Sequence, residues 1–245
     1  EHIKTVQIPN CRRLFAHDAR VYVTSYAGRI EDENHQLGYV ACIDTSSLEI
    51  VSQQETGYQP EGMAMLNDLL YVANSGGYMG MNTGVYDDRI TVLNQSASEF
   101  IKHISVAPNL QEVIADPKHN VLWISSFGNY YDVDANLYCL NPDAPEAVEK
   151  MDIPVSKMTL AGDTLYLMAS TYDADWSQVT HFYKMDTQSR VKTEIALNTA
   201  LTTPYAMAVN PENKDLYICD AGDYVNPGTL YCFSPDGKEK WHLHT

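Results

Sequence analysis

The sequence is poor in basic residues and contains no long apolar run. Its 245 residues include 16 lysines and arginines against 32 aspartates and glutamates, which gives a formal net charge of −16. This charge repels phosphate backbones and anionic membrane surfaces, so it disfavours nucleic-acid binding. No stretch approaches the roughly 18–20 consecutive apolar residues of a membrane span. We therefore expect no nucleic-acid partner and no transmembrane segment.

Motifs of catalysis, targeting and metal binding are missing as well. The sequence has no Gly-x-Ser-x-Gly elbow and no phosphate-binding loop, and its eight histidines are scattered. No signal peptide or lipid-attachment segment is visible, but the chain begins at Glu1 instead of a methionine, which indicates a processed or trimmed N-terminus. The five cysteines fit no zinc spacing and cannot all pair, so we expect small buried side chains. These absences favour a non-catalytic protein.

What the sequence does contain is one pattern repeated five times. Each copy has a short apolar strand, a turn, a strand of the type Leu-Tyr-Val-Ala, a long polar loop and a third strand that closes on a small polar residue. The closing residues are Asp44, Asn94, Asn141, Asp186 and Ser234. A period in the high forties that holds four short strands is typical of β-propeller blades. We therefore predict an all-β protein, a β-propeller of four-stranded antiparallel blades.

The repeat predicts a single domain over residues 1–245 with five complete blades. Their expected bounds are about 10–55, 56–106, 107–153, 154–199 and 200–245. Residues 1–9 resemble an orphan outer strand whose three inner strands are absent from the sequence. The chain is therefore expected to be part of a larger ring of six or seven blades, with seven preferred. A five-bladed ring with one added strand is the alternative.

One aromatic residue recurs in the second strand of every copy. Aliphatic residues alternate with it, as expected for a strand with one face against a neighbouring blade. We interpret these side chains as structural packing between blades; they are Tyr22, Tyr71, Trp123, Tyr166 and Tyr217.

The long loops after the second strands also carry aromatic residues, and here binding is the favoured interpretation. Short turns would close these hairpins more simply, so the added length points to a function. The predicted ligand-binding side chains are Tyr26, Tyr78, Tyr130, Tyr172, Trp176 and Tyr224. A ring of aromatic faces, with Asn, Asp and Gly amides between them, suits a large, flat or polyhydroxylated neutral ligand or a protein partner. The alternative is that these tyrosines cap the blades and hydrogen-bond loop backbones.

A second set of candidate ligand-binding residues stands just ahead of each first strand. Aligned on one register, these residues place a charged or hydroxyl group from each blade at the mouth of the central channel. They are Arg13, Glu61, Glu112, Lys157 and Tyr205. Mixed signs in one ring fit a polar ligand, and they fit a plug of mutual salt bridges equally well.

No metal or cofactor is predicted, but two alternatives use carboxylates. Paired aspartates provide hard oxygen ligands for one structural calcium ion, although aspartates in such turns commonly bind their own backbone. These pairs are Asp132 with Asp134, Asp173 with Asp175, and Asp220 with Asp223. Alternatively, a metal on Glu61 or Glu112 would resemble the site of lactonase-type propellers and would make the chain a metal-dependent hydrolase.

Two of the copies carry a resemblance to a known family. Residues 59–64 read Gln-Pro-Glu-Gly-Met-Ala and residues 203–208 read Thr-Pro-Tyr-Ala-Met-Ala. Each is followed by Leu-Tyr-x-x-[Asn/Asp]-x-Gly, at 70–76 and 216–222. The chain thus resembles YncE-like, YVTN-type (NHL-like) propellers and is most similar to the surface-layer-type propellers of Bacteroidetes. The third and fourth copies depart from the pattern, since they lack the leading proline.

The resemblance implies an exported, usually lipid-anchored protein of the cell surface or periplasm, with seven blades and no catalysis. Some similar propellers capture corrinoids such as cobalamin and pass them to an outer-membrane transporter. Three functions therefore remain open. They are a cell-envelope propeller that binds a small molecule, glycan or corrinoid, a scaffold for a protein partner such as that transporter, and a metal-dependent hydrolase.

Overall fold

The computed structural model describes residues 2–29, 36–172 and 178–244, with only the backbone of Tyr172. Within these ranges the chain consists of short β-strands and one seven-residue helix, α1 (Gly77–Thr83). The strands form five four-stranded sheets, and within each sheet consecutive strands pair antiparallel. The predicted all-β class with four-stranded antiparallel blades is therefore confirmed. Two compact units result, residues 1–152 and 153–245.

The first unit contains three sheets. Its strands are β1 (Cys11–His17), β2 (Arg20–Ser25), β3 (Tyr39–Asp44) and β4 (Glu49–Glu55); β5 (Pro60–Leu66), β6 (Leu69–Asn74), β7 (Arg89–Asn94) and β8 (Phe100–Ser105); and β9 (Leu110–Asp116), β10 (Val121–Ser126), β11 (Asn136–Leu140) and β12 (Glu149–Lys150). Apolar clusters fill the space between neighbouring sheets. One joins the first sheet to the second through residues such as Cys42 and Met63, and another joins the second to the third through Ile90 and Leu122.

The second unit contains two sheets. Its strands are β13 (Val155–Ala161), β14 (Thr164–Tyr172), β15 (Gln178–Asp186) and β16 (Lys192–Glu194); and β17 (Pro204–Val209), β18 (Leu216–Asp220), β19 (Thr229–Phe233) and β20 (Glu239–His244). Their shared core includes Phe182, Leu216 and Phe233.

Three of the five recurring strand aromatics pack between sheets as the sequence predicts. Tyr22 belongs to the cluster between the first two sheets, Tyr71 to the cluster between the second and third, and Tyr166 to the core of the second unit. Trp123 is fully buried. Tyr217 is only half-buried and contacts Trp241 with ring centroids 6.0 Å apart.

Burial of tyrosines has a consequence at high pH. Burial raises the pKa of five phenols above their ordinary value of 10.0, those of Tyr22, Tyr26, Tyr71, Tyr138 and Tyr166. The unfolded chain therefore loses these protons first, so their contribution to stability is present below pH 10 and is lost as the pH rises through the higher pKa values of the folded state. We expect the free energy of unfolding, measured with urea, to fall between about pH 9 and pH 11. A constant value across that range would contradict this.

Residues 2–8 pair with none of the described strands. The outer strand predicted there was expected to lack its partners in this sequence, so it stays a prediction. The expectation for the cysteines needs correction: Cys42, Cys139 and Cys232 are buried as expected, but Cys11 and Cys219 are exposed.

A β-bulge interrupts the first strand of each sheet near its start. The pairings of β1 with β2 advance from Cys11–Ser25 to Leu14–Val23, so three steps on one strand match two on the other. The same single extra residue occurs in β5, β9, β13 and β17. Bulges re-aim side chains and are frequent beside functional sites. In the first unit these bulges lie at one pocket.

No helix among the described residues has the length and apolar character needed to cross a membrane.

Candidate functional site

A pocket of about 250 Å³ lies in the first unit, where the first strand of each sheet begins and the second strand ends. Side chains and loops of all three sheets line it. The lining residues are Arg12, Tyr26, Glu61, Ser75, Gly77, Tyr78, Met81, Asn109, Gln111, Phe127 and Tyr130. Residues of three blades therefore form the pocket together.

Glu61 organises the charged side of the pocket. Its side chain is 5% exposed, and its Oε1 accepts hydrogen bonds from the Tyr26 hydroxyl and from Arg12, through Nε at 3.4 Å and Nη2 at 3.3 Å. Oε2 lies 3.6 Å from Nε of Arg13. One buried carboxylate thus faces two guanidinium groups.

The bulge in β1 explains why two consecutive arginines reach the same carboxylate. Successive residues of a regular strand point to opposite faces, and the extra residue breaks that alternation between Cys11 and Leu14. The backbone N–H of Arg13 donates to Thr24 Oγ1 at 3.0 Å, and the Thr24 hydroxyl donates to the carbonyl of Glu61 at 3.1 Å. This chain of bonds fixes the first sheet against the second beside the pocket.

The surrounding groups favour the charged guanidinium of Arg12 and the neutral phenol of Tyr26. Burial lowers the pKa of the Arg12 guanidinium, but attraction from Glu61 together with the contact to Tyr26 outweighs it, and the pKa is raised overall. Burial, with repulsion from Glu61 second, raises the pKa of Tyr26, so its phenol stays protonated and keeps donating. The Arg12 guanidinium also lies over the Tyr26 ring, with Cζ 4.7 Å from the centroid, in cation–π geometry.

Aromatic rings form another side of the pocket. Tyr78 contacts Tyr26 edge to face with centroids 6.3 Å apart, and Tyr130 contacts Tyr86 in the same manner at 6.2 Å. Phe127 is half-buried, whereas Tyr78 is 38% and Tyr130 is 68% exposed. The rings therefore run from the interior of the pocket to its mouth.

Two buried amide side chains order the backbone and the side chains beside the pocket. Gln59 and Asn109 each precede a first strand, with φ of 51° and 62°, a left-handed conformation that Asn adopts more readily than most residues. Gln59 Oε1 accepts from the backbone N–H of Tyr78 at 2.8 Å and of Met79 at 3.2 Å, at the start of α1. Asn109 Oδ1 accepts from Gln111 Nε2 at 2.7 Å. Both amides are buried, so the pocket is built before any ligand arrives.

The structure brings together some of the predicted binding residues. Tyr26, Tyr78, Tyr130 and Glu61 line the pocket, and Arg13 pairs with Glu61. Tyr26 was expected to present its ring to a ligand, but the ring is buried and the hydroxyl donates a hydrogen bond to Glu61.

The remaining candidates lie elsewhere. Glu112 is half-buried next to Gln111, outside the lining. Lys157, Tyr205 and Tyr224 belong to the second unit, where the two tyrosine rings meet at 6.1 Å. The backbone of Tyr172 ends β14, and Trp176 lies outside the described residues.

The register expected for the channel-mouth residues is wrong in three blades. The strand pairings place Cys11, Pro60, Leu110, Val155 and Pro204 at equivalent positions. In four sheets this position lies opposite the last residue of the second strand, and in the fourth sheet it lies opposite Ala169, three residues before the end of the longer β14. The residues that follow these positions, and so are equivalent at the bulge, are Arg12, Glu61, Gln111, Ser156 and Tyr205. Glu61 and Tyr205 belong to the predicted set. The other three predicted residues, Arg13, Glu112 and Lys157, each lie one position further along the strand. All five first strands carry the same extra residue, so the predicted set mixes two adjacent positions of the bulge, a difference that alignment on apolar positions does not reveal.

Sequence reasoning also missed Phe127. The backbone N–H groups of Tyr26 and Phe127 donate to the carbonyls of Asn10 and Asn109, so the two aromatics occupy equivalent places in their blades. The sequence contains a pattern that would have identified Phe127: Ser25-Tyr-Ala-Gly28 and Ser126-Phe-Gly128 both place an aromatic residue directly after a serine and shortly before a glycine. The helix α1 was missed for lack of any apolar periodicity.

The aspartates considered for calcium accept hydrogen bonds from the protein. Asp220 accepts from the backbone N–H groups of Thr202, Thr203 and Gly222, at 2.6–2.9 Å. Asp223 accepts from Val225 and Asn226, and this lowers its pKa. Asp173 and Asp175 lie outside the described residues, and no group of three or more potential metal ligands occurs among the residues that are described. Calcium binding stays a prediction without support from geometry.

Comparison with known proteins identifies the fold. No family model and no curated protein matches the sequence significantly. Hydrazine synthase of Kuenenia stuttgartiensis is similar in structure, with a TM-score of 0.64 and 15% identity over 87% of this chain and 61% of that one. The WD40 domain of Pan2 from Neurospora crassa gives a TM-score of 0.61 and 8% identity over 94% of this chain and 64% of that one.

The chain thus spans less than two thirds of the length of either structure. At such low identity the similarity shows the fold alone, and it confirms the predicted β-propeller. The ring size and the YncE-like family stay predictions.

Proposed function

We propose that this propeller is a non-catalytic binding protein that holds a small ligand in the pocket between its first three blades. The observation that carries the proposal is the combination of buried, mutually bonded polar groups with exposed aromatic rings around one concavity. Ligand sites are typically concave and mostly apolar, with a few fixed polar groups. A propeller fold is compatible with ligand or protein binding in general.

The Ser75 hydroxyl and the Glu61 carboxylate in the pocket lining are committed to structural bonds, which favours binding over catalysis. The Ser75 hydroxyl donates to the carbonyl of Gln59 at 2.9 Å, and Glu61 is held by its arginines. No histidine or cysteine is among the lining residues. The two guanidinium groups beside Glu61 would also repel a divalent cation, so a hydrolase with its metal on Glu61 is the less favoured proposal.

An envelope location, a lipid anchor and corrinoid capture rest on the family resemblance of the repeat motifs and are proposed on that ground alone. Corrinoids are larger than a pocket of about 250 Å³. Cobalamin would therefore contact the mouth, through Tyr78 and Tyr130, instead of entering. A protein partner is a second candidate, because Tyr130 of the pocket lining and Tyr131, the next residue along the chain, are 68% and 94% exposed.

The decisive variant is Tyr130→Ala, with Tyr224→Ala as the matched control. Both tyrosines have positive φ, 58° and 61°, and are about equally exposed, at 68% and 67%, but only Tyr130 lines the pocket. We expect a compound that raises the Tm of the wild type and of Tyr224→Ala to lose at least about 10-fold in affinity with Tyr130→Ala, since an aromatic contact contributes roughly 1–3 kcal/mol.

The measurement is a thermal-shift screen, followed by calorimetry, with aromatic acids, cyanocobalamin, oligosaccharides and divalent metals. Equal loss of affinity in both variants, or in neither, would argue against the pocket. A compound that stabilises only through a metal would favour the hydrolase.

A further inference from the structure

The charge balance of the pocket points to the class of ligand. Arg12 and Arg13 both contact Glu61, and among the described residues that line the cavity Glu61 is the only acidic one. The cluster therefore carries one surplus positive charge, in a chain whose net charge is −16. A positive site in an acidic protein attracts small anions and repels ammonium compounds.

Arg12 has donors left for a ligand. A guanidinium carries five N–H groups, and Glu61 accepts from two of the Arg12 nitrogens. Even when the contact with Tyr26 is counted, at least two N–H groups remain. The Arg12 side chain is 34% exposed and lines the cavity, so these donors are accessible from it.

The Arg12 guanidinium is also held in place before binding. Glu61 fixes one of its edges, and the Tyr26 ring lies against its face at 4.7 Å. A group fixed in this way loses little conformational freedom when it binds a carboxylate, which raises affinity. Planar, bidentate recognition of carboxylates is the chemistry to which arginine is best suited.

The remaining lining of the cavity suits an aromatic ring of the ligand. Tyr78, Phe127 and Tyr130 provide aromatic surface in the same pocket as Arg12. A volume of about 250 Å³ is below the range of drug-sized ligand sites, so it admits one ring system with a short side chain. We propose that the pocket binds a small aromatic monocarboxylate, with its carboxylate on Arg12 and its ring against Tyr78 and Tyr130.

The proposal rests on the proposed function and is tested with four named probes. Benzoate and indole-3-acetate are aromatic carboxylates. Benzamide is the uncharged counterpart of benzoate, and phenyl phosphate carries a phosphate group in place of the carboxylate. Binding to the whole chain is measured by saturation-transfer NMR and calorimetry. We expect at least one carboxylate to bind, with benzamide at least about 10-fold weaker and phenyl phosphate weaker than the carboxylate, because one surplus cation matches a monoanion.

Arg12→Gln is expected to lower the affinity for the carboxylate probe about 10- to 100-fold, because one charge-assisted, bidentate contact is lost. Arg13 still pairs with Glu61 in this variant, so the carboxylate is not left alone. Arg12→Lys keeps the charge without the planar fork and is expected to bind with intermediate affinity. Circular dichroism checks that both variants fold.

Other results overturn the inference. If benzamide binds as tightly as benzoate, or if Arg12→Gln leaves carboxylate affinity unchanged, the ligand is not recognised as an anion. If no carboxylate binds, the assigned class is wrong. In each case the Tyr130→Ala and Tyr224→Ala comparison still decides separately whether the pocket binds another compound.

Discussion

Glu61→Ala is expected to lower the free energy of unfolding by roughly 2–4 kcal/mol, because it leaves two guanidinium groups and a buried phenol without their shared acceptor. Removal of one partner of a buried ion pair costs about 3–5 kcal/mol, and partial exposure of the arginines reduces that figure. Their side chains are 34% and 43% exposed, against 5% for Glu61. The Tyr26 ring, 5% exposed, would retain a buried hydroxyl with nothing to accept its proton.

The matched control is Glu49→Ala. Glu49 also pairs with a cation, Lys4, but its side chain is 68% exposed. Surface ion pairs contribute little, so this variant should unfold at nearly the wild-type denaturant concentration. Urea titrations of the two variants measure the difference. Equal stabilities would mean that the cluster around Glu61 is not the structural centre of the pocket.

Glu61→Gln separates charge from hydrogen bonding. The amide retains one acceptor oxygen for Tyr26 or Arg12 but no negative charge. An intermediate loss of stability is therefore expected. A loss as large as that of alanine would assign the whole effect to charge.

Gly62→Ala is expected to destabilise the first unit by about 2–3 kcal/mol through a clash between two blades. A Cβ atom on Gly62 would lie 2.7 Å from the carbonyl oxygen of Gln111, 2.9 Å from Cα of Glu112 and 3.0 Å from the backbone nitrogen of Val113. All three are backbone atoms, so no side-chain rotation relieves the contact. The clash would push apart the bulges of β5 and β9, which carry Glu61 and Gln111.

Gly84→Ala is the control for this variant. Gly84 follows α1 with φ of 75°, and a Cβ atom there meets nothing within 4 Å. Its replacement costs roughly 1 kcal/mol from backbone conformation alone. We expect Gly62→Ala to lose more stability and also to weaken ligand binding, which Gly84→Ala leaves intact. A Gly62→Ala protein as stable as Gly84→Ala would show that the two strands separate at little cost.

The repeat made the fold predictable because strand pairing and sheet packing leave regular marks in the sequence. Alternation in strands such as β6 and β10 places an aromatic residue on one face, and Tyr71 and Trp123 are buried as predicted. The predicted closing residue Asp44 ends β3, and Asn94 ends β7. Because the strand pattern occurs five times, an error in one blade did not change the prediction of the fold.

The pocket was predictable only in part. Tyr78, Tyr130 and Glu61 were found because loop length and polarity marked their positions. Arg12 was missed in favour of Arg13, because a bulge changes which side chain faces the cavity without changing the sequence pattern.

The sequence by itself therefore determined the all-β class, the four-stranded blades and three of the aromatic residues packed between them. Each follows from local periodicity, which is a property of the chain alone. Only the tertiary structure decided which residues meet at Glu61, since Arg12, Tyr26 and Glu61 come from different strands and loops of two sheets. Their contact depends on backbone bulges and on blades packed closely enough that Gly62 has no room for a side chain. A single sequence does not record such long-range distances.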